Sequence, residues 1–300
     1  MITYLLLILT MGIGLWSILL FFRATRKPVP GAVFTALLSL SMGLFIYLYG
    51  TWVFLTIYAK YVFGGLYVLL GLLFLLRRKV TLGNGWIPVK VFFTLLLALG
   101  CVLYFTGTMG KPGTVELDFP LKKGRYFVLQ GGKGLPTNLF HFSLRGAVYA
   151  MDIVKLDDLG RRANTVFSRR LEDYAIFGDT IYAPCDGVVT RAYGDNPDNI
   201  PPNMQRGPKN TNLVLIETPD YYVFMAHLKK GSVFVKEGDT VKTGYPLGRV
   251  GNSGFSSEPH LHIQVHAREN GKPWYSSTPL YIHFNGKGYL LNEMIKRKDL

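Results

Sequence analysis

Hydrophobic positions in this chain follow two rhythms. Up to about residue 107 they run almost unbroken: residues 2–22 are apolar, 31–76 hold a single charge, Lys60, and 91–107 hold none. A bilayer core of about 30 Å takes roughly 20 apolar residues per helix. The first run therefore predicts one span, the second is long enough for two separated near Gly50–Lys60, and the third makes a fourth. These runs are apolar on every face, whereas a soluble helix shows one apolar stripe. Beyond residue 107 the pattern shortens to alternating runs punctuated by Gly, Pro, Asn and Asp: IYAPCDGVVTRAY, TNLVLIET, YYVFMAHL and HLHIQVH, which predict β-strands. Residues 161–176 and the terminal NEMIKRKDL are candidate short helices, and the Pro/Asn-rich stretch between Gly194 and Asn212 predicts a loop over one end of a sheet.

The expected organisation is a multi-pass transmembrane anchor over residues 1–107, a linker over 108–124 and a mainly β domain, built on an antiparallel sheet, over 125–300. Charge supports the division. Residues 1–110 carry eight bases and no acid, while the rest carries 25 bases and all 19 acids, a net of +6. Cytoplasmic loops collect Lys and Arg. Arg23, Arg26 and Lys27 mark one such loop and Arg77, Arg78, Lys79 and Lys90 another, with only Lys60 in the loop between. Both basic loops on the cytoplasmic side require an even number of helices, so the N-terminus and the β domain are expected on the extracytoplasmic side of the membrane. A cleaved signal peptide is disfavoured, because the first run lacks a basic leader and a small-residue cleavage site before Arg23.

Chemistry concentrates in GNSGFSSEPHLHIQVH, residues 251–266, which holds three of the six histidines. On a strand His260, His262, Gln264 and His266 share one face, and Leu261, Ile263 and Val265 share the other. The first face aims two imidazoles one pleat apart into the same space, as a metal centre or an acid/base pair requires, although a solvated face would look the same. Three further residues favour the metal: His227 at the end of YVFMAHL, His141 after LPTNLF, and Asp152 in VYAMDIV, where a lone carboxylate among β-formers is costly unless paired or bound to a cation. Zinc suits an inventory of imidazole and carboxylate. His266 would lie about 13 Å along the strand from His262, too far to share its metal, and is expected at the rim or in solvent. His283 is expected to be a surface or packing residue. Cys101 and Cys185 lie in different regions, and each is expected to be a packed small apolar residue.

Over residues 125–268 the chain resembles the lysostaphin-type (LytM-like) zinc metalloendopeptidases of bacterial cell walls, most closely in YAPCDGVVT, in MAHLKKGSVFVKEGDTVKTGYPLGRVGNSG and in SSEPHLHIQV. The resemblance implies that His141, Asp152 and His262 ligate one zinc ion. It also implies that His227 and His260 are unliganded catalytic histidines, and that the substrate is the peptide of peptidoglycan, cleaved by a metal-activated water. The simplest form of the family's first motif, H-x-x-x-D, is departed from here. His141 and Asp152 are separated by FSLRGAVYAM, which resembles a subgroup with a longer hairpin between the two ligands.

Two other classes compete. A non-catalytic envelope scaffold or hydrolase activator on the same fold would typically lack the ligands that this chain retains. A biotinyl- or lipoyl-carrier domain, suggested by VKEGDTVKTGYPLG, would need a carrier lysine that is missing from that context. Besides peptidoglycan peptides, the lipid bilayer is an expected partner of the chain, and nucleic acid is not, because no aromatic-basic recognition motif is present. The net charge of the outer domain also suits anionic envelope polymers or headgroups.

Overall fold

The computed structural model of the chain describes residues 2–26, 31–76, 86–205, 207 and 209–295. It divides into two compact units between Thr106 and Gly107. The first unit consists of α1 (Ile2–Arg26), α2 (Ala32–Tyr49), α3 (Ile57–Leu75) and α4 (Ile87–Thr106). All four are long and apolar enough to cross a membrane. Leu5, Ile8, Leu15, Val68, Leu72, Leu95 and Leu99 are among their exposed side chains, so the outer surface of this unit is apolar as lipid contact would require. Small and hydroxyl residues draw the helices together, as is usual where no hydrophobic effect separates helix from solvent. The Ser39 hydroxyl donates to the Ser17 carbonyl at 2.5 Å, and the Tyr67 hydroxyl donates to the Ser39 carbonyl at 3.1 Å. A Cβ on Gly43 would fall 2.2 Å from the Tyr67 ring, so only glycine permits that approach of α2 to α3.

Lys60 departs from expectation. The Thr56 side chain accepts from the Tyr58 amide and starts α3 before Lys60, so the lysine is helical rather than in a loop. It is 7% exposed with its Nζ 4.7 Å from the centre of the Tyr47 ring. Arg23 and Arg26 end α1, while Lys27 and Arg77–Lys79 lie outside the described residues.

The second unit is built of β1 (Thr114–Leu117), β2 (Arg125–Gln130), the short helix α5 (Leu139–Phe142), β3 (Met151–Leu156), β4 (Thr180–Tyr182), β5 (Gly187–Tyr193), β6 (Leu213–Glu217) and β7 (Tyr221–Ala226). After these come β8 (Thr240–Val241), β9 (Pro246–Arg249), β10 (Leu261–Ala267), β11 (Pro279–Phe284), β12 (Lys287–Gly288) and β13 (Met294–Ile295). Eight strands form a sheet in the order β13-β2-β3-β10-β7-β6-β5-β8, and every pairing along it is antiparallel. β11 joins the end of β10 and carries β1 and β12, the β1 pairing being parallel. β4 and β9 form a separate two-stranded sheet.

The expected linker, 108–124, thus contains a strand of the domain, since β1 runs beside β11 from Thr114↔Tyr281 to Leu117↔Phe284. The candidate helix over 161–176 is instead irregular with a single 3-10 turn at Leu171–Asp173, because its buried residues, Arg162, Ala163, Ser168, Tyr174 and Ile176, do not fall on a helical stripe. The start of the candidate C-terminal helix is a turn followed by β13, where Met294 and Ile295 pair with Phe127 and Tyr126. Residues 296–300 lie outside the described set. Cys101 and Cys185 are buried and unpaired by any disulfide.

The core lies behind the face of β10 that carries Leu261, Ile263 and Val265, none more than 1% exposed, with Val214, Ile216, Val223 and Met225 of the neighbouring strands. The opposite face was expected to open to solvent at His266. Instead His266 is fully buried, beneath Trp274, whose ring meets it edge-on at 5.5 Å between centroids, and against the backbone of Gly146 and Ser277. Two connections, 143–150 and 268–278, roof this face, so β10 is covered on both sides. His283 lies half-buried on β11, its ring edge-on to Tyr281.

Candidate metal centre

Strand register builds the site. On β3 Asp152 is paired with His262 of β10, His262 is paired on its other side with Ala226 of β7, and His227 follows that alanine directly. Three residues far apart in sequence are therefore lateral neighbours, and His260 enters just before β10 begins. The Asp152 Oδ1 lies 3.0 Å from His262 Nδ1 and 3.4 Å from His260 Nε2, and its Oδ2 lies 3.3 Å from His141 Nε2. The four imidazoles are between 5% and 8% exposed.

His141 arrives from α5, and one residue that sequence reasoning missed sets it in place. Asn138, fully buried, donates from its Nδ2 to the carbonyls of Val148 (3.1 Å) and Ala150 (2.8 Å). Both partners can only accept, so the Asn138 Oδ1 must be the atom facing His141 Nδ1 at 2.8 Å, which makes that nitrogen an N–H and leaves Nε2 to face Asp152. The same amide ties α5 to the residues leading into β3, closing the long connection between His141 and Asp152. Its sequence signal was its position three residues before His141, one helical turn away.

The Pro/Asn-rich stretch holds His227 and His260. His227 has φ 67°, a left-handed conformation rare outside glycine and asparagine, and directs Nδ1 to the Ser253 carbonyl at 2.8 Å. Asn212, Asn199 and Asn252, each no more than 5% exposed, bind the 194–212 loop to residues 228 and 252–256, with Asn199 Nδ2 donating to the carbonyls of Gly254 and Ser256. Gly254 has φ 75° and faces Thr211 so closely that no Cβ fits. His260 Nδ1 meets the Glu258 carbonyl at 2.8 Å. The Glu258 carboxylate is held by Arg162 through two hydrogen bonds, Nε to Oε1 at 2.9 Å and Nη2 to Oε2 at 2.8 Å. Arg162 is 2% exposed, so an irregular segment is anchored to the turn that leads into β10 by a buried ion pair that sequence reasoning did not find.

Burial opposes ionisation of Asp152, but the positive potential of His141 and His260 outweighs it and holds the carboxyl well below the usual carboxylate range. Burial pushes His227 well below the ordinary histidine value, and His260 and His262 reinforce this. Burial acts the same way on His260, yet Asp152 reverses it and raises that ring. The set therefore combines an ionised carboxylate with a ring kept neutral. Two groups of three donors each lie within 4.8 Å of one another: His141, Asp152 and His262, and His227, His260 and His262. The first mixes imidazole and carboxylate as zinc sites do, and the chemistry of its donors fits that ion.

A carboxylate and imidazoles gathered at one end of an antiparallel sheet define a candidate mononuclear metal-hydrolase centre. Residues 171–275, which lie within the second unit, match the family model described as Peptidase family M23. The match contains His227, His260 and His262, while His141 and Asp152 precede it. A relative from Haemophilus influenzae, described as an uncharacterized metalloprotease, is 34% identical over 110 residues, which are 36% of this chain and 19% of that protein. The chain thus spans about a fifth of that relative. Among solved structures, the catalytic domain of the prophage-encoded M23 protein EnpA from Enterococcus faecalis is 19% identical, covers 54% of this chain and 94% of its own, and gives a TM-score of 0.33. The lysostaphin catalytic domain from Staphylococcus simulans is 19% identical, covers 51% and 85%, and gives 0.28.

Proposed function

We propose that this chain is a membrane-anchored zinc metalloendopeptidase that hydrolyses peptide bonds of bacterial peptidoglycan, with His141, Asp152 and His262 holding the metal and His227 and His260 serving catalysis. The observation that carries the proposal is the meeting of those three donors within 4.8 Å of one another, from positions 141, 152 and 262. Zinc held there supplies Lewis acidity, polarising a carbonyl and lowering the pKa of water from about 15.7 toward about 7. The protein's own groups supply the rest. His227, kept neutral by burial, offers a free Nε2 lone pair as a proton acceptor, because its Nδ1 is committed to Ser253. His260, its proton affinity raised by Asp152, is suited to donate, either to an oxyanion or to the leaving amine. The four apolar helices tether the domain. The basic residues Arg23, Arg26, Lys27, Arg77, Arg78, Lys79 and Lys90 favour its extracytoplasmic side.

Elemental analysis of the purified chain should give one zinc, and mass spectrometry of digested cell-wall fragments should find new amine ends. A chain without metal and without cleavage would leave the scaffold reading in its place. His260→Ala should retain zinc and lose about 10²- to 10⁴-fold in turnover, the usual contribution of a general acid or base. Loss of metal in that variant would instead assign the ion to the alternative set of His227, His260 and His262.

The depressed His227 has a consequence for the metal-free chain. Its folded pKa lies below the unfolded one, so below the ordinary histidine value the unfolded chain binds a proton that this ring refuses in the folded chain, and the His227 contribution to stability falls as pH drops from about 7 to about 5, against the opposite contribution of the raised His260. His227→Asn, which tolerates the left-handed backbone, should flatten that slope in denaturant titrations performed with a chelator present.

A further inference from the structure

The buried face of β10 carries a line of polar side chains that the proposed chemistry does not use. His262 Nε2 lies 3.0 Å from Gln264 Oε1, Gln264 Nε2 lies 3.2 Å from His266 Nε2, and His266 Nδ1 lies 3.0 Å from the Ser277 carbonyl. Gln264 is 8% exposed and His266 is fully buried. From these contacts we infer that Gln264 and His266 are positioning residues that force the His262 proton onto Nε2 and so present its Nδ1 to a metal. This rests on the proposed role of His262 as a ligand.

The direction of the line is set at its far end. A backbone carbonyl can only accept, so His266 carries its N–H on Nδ1. Burial pushes the His266 pKa down, which keeps the ring neutral with one N–H, and its Nε2 is then an acceptor. The group facing that acceptor must donate, which assigns the Gln264 amide nitrogen to His266 and its Oε1 to His262. An oxygen opposite His262 Nε2 requires an N–H there. His262 Nδ1, 3.0 Å from Asp152 Oδ1, is then the nitrogen available at the centre. Outer partners of this kind orient a metal-bound imidazole and raise its basicity. Here the device reaches through a second histidine to a backbone carbonyl 15 residues along the chain from His262, in the connection that roofs the sheet.

The full chain, solubilised in detergent and labelled with ¹⁵N-histidine, tests this by ring-nitrogen spectra with and without zinc. His262 Nε2 should be protonated in both states and His266 should carry its proton on Nδ1. A bare Nε2 on His262 in either state overturns the inference, whether or not zinc binds. Zinc affinity measured by chelator competition gives the second readout. Gln264→Leu and His266→Phe should each weaken binding about 10- to 100-fold. Gln264→Glu, which still accepts from His262, should stay within about threefold of the parent on the same reasoning. Parental affinity in both Gln264→Leu and His266→Phe would refute the positioning role. A chain that binds no zinc but shows the stated protonation would leave the hydrogen-bonded line standing and remove the peptidase reading.

Discussion

Asp152→Asn should yield a folded chain that binds zinc more than about 100-fold more weakly, beyond the upper range for outer partners, and that releases no new amine ends from cell-wall fragments. The carboxylate is in contact with three imidazoles, His141, His260 and His262, at 3.0 to 3.4 Å. Replacing it by an isosteric amide keeps the volume and removes the charge. The rings then lose the anion that gathers them, and the amide nitrogen presents a donor where lone pairs must converge. Folding should survive, because Asn can still bond one imidazole and the substitution sits on the site side of β3. Chelator competition and elemental analysis decide it, and near-parental zinc in Asp152→Asn would remove this residue from the ligand set.

The second large effect is expected away from the candidate metal centre. Glu258→Ala should destabilise the second unit by about 3 kcal/mol or more, because it leaves the Arg162 guanidinium buried without its partner. For a unit of this size that corresponds to a drop of roughly 10 °C in Tm. Arg162→Met combined with Glu258→Leu should recover most of the loss, since an apolar pair removes the uncompensated charge. The activity readout separates from stability: the Glu258 carbonyl orients His260, so turnover should remain low in the double variant wherever the 256–260 turn loses its register. Equal thermal midpoints for Glu258→Ala and the parent would show that the pair contributes nothing.

The sequence carried the strands and the long apolar helices because both follow short-range rules. Alternation in HLHIQVH put Leu261, Ile263 and Val265 into the core, and the unbroken apolar runs marked α1 to α4. The meeting of His141, Asp152 and His262 needed strand register, which no local pattern specifies. The resemblance supplied that grouping, and the lateral pairing of β3, β10 and β7 supplies its physical cause. What was illegible depended on long-range cover. His266 reads as a rim residue on an isolated strand, and becomes fully buried because Trp274 and the 143–150 connection close over it. Arg162, in a segment rich in Arg and Asp, gave no sign that one of its charges would be interior. β1 was hidden in a short run whose partner, β11, lies more than 150 residues away.

The carboxamides that frame the histidines bring a chemical vulnerability. Asn138, Asn199, Asn212 and Asn252 are held rigid and dry in the folded chain, which shields them from deamidation. Each excursion to an opened state exposes them, and conversion of any one to a carboxylate would install a negative charge where a donor is required. Ageing of this protein at high temperature should therefore be irreversible and paced by how often the sheet opens, so that its useful lifetime is written in side-chain amides.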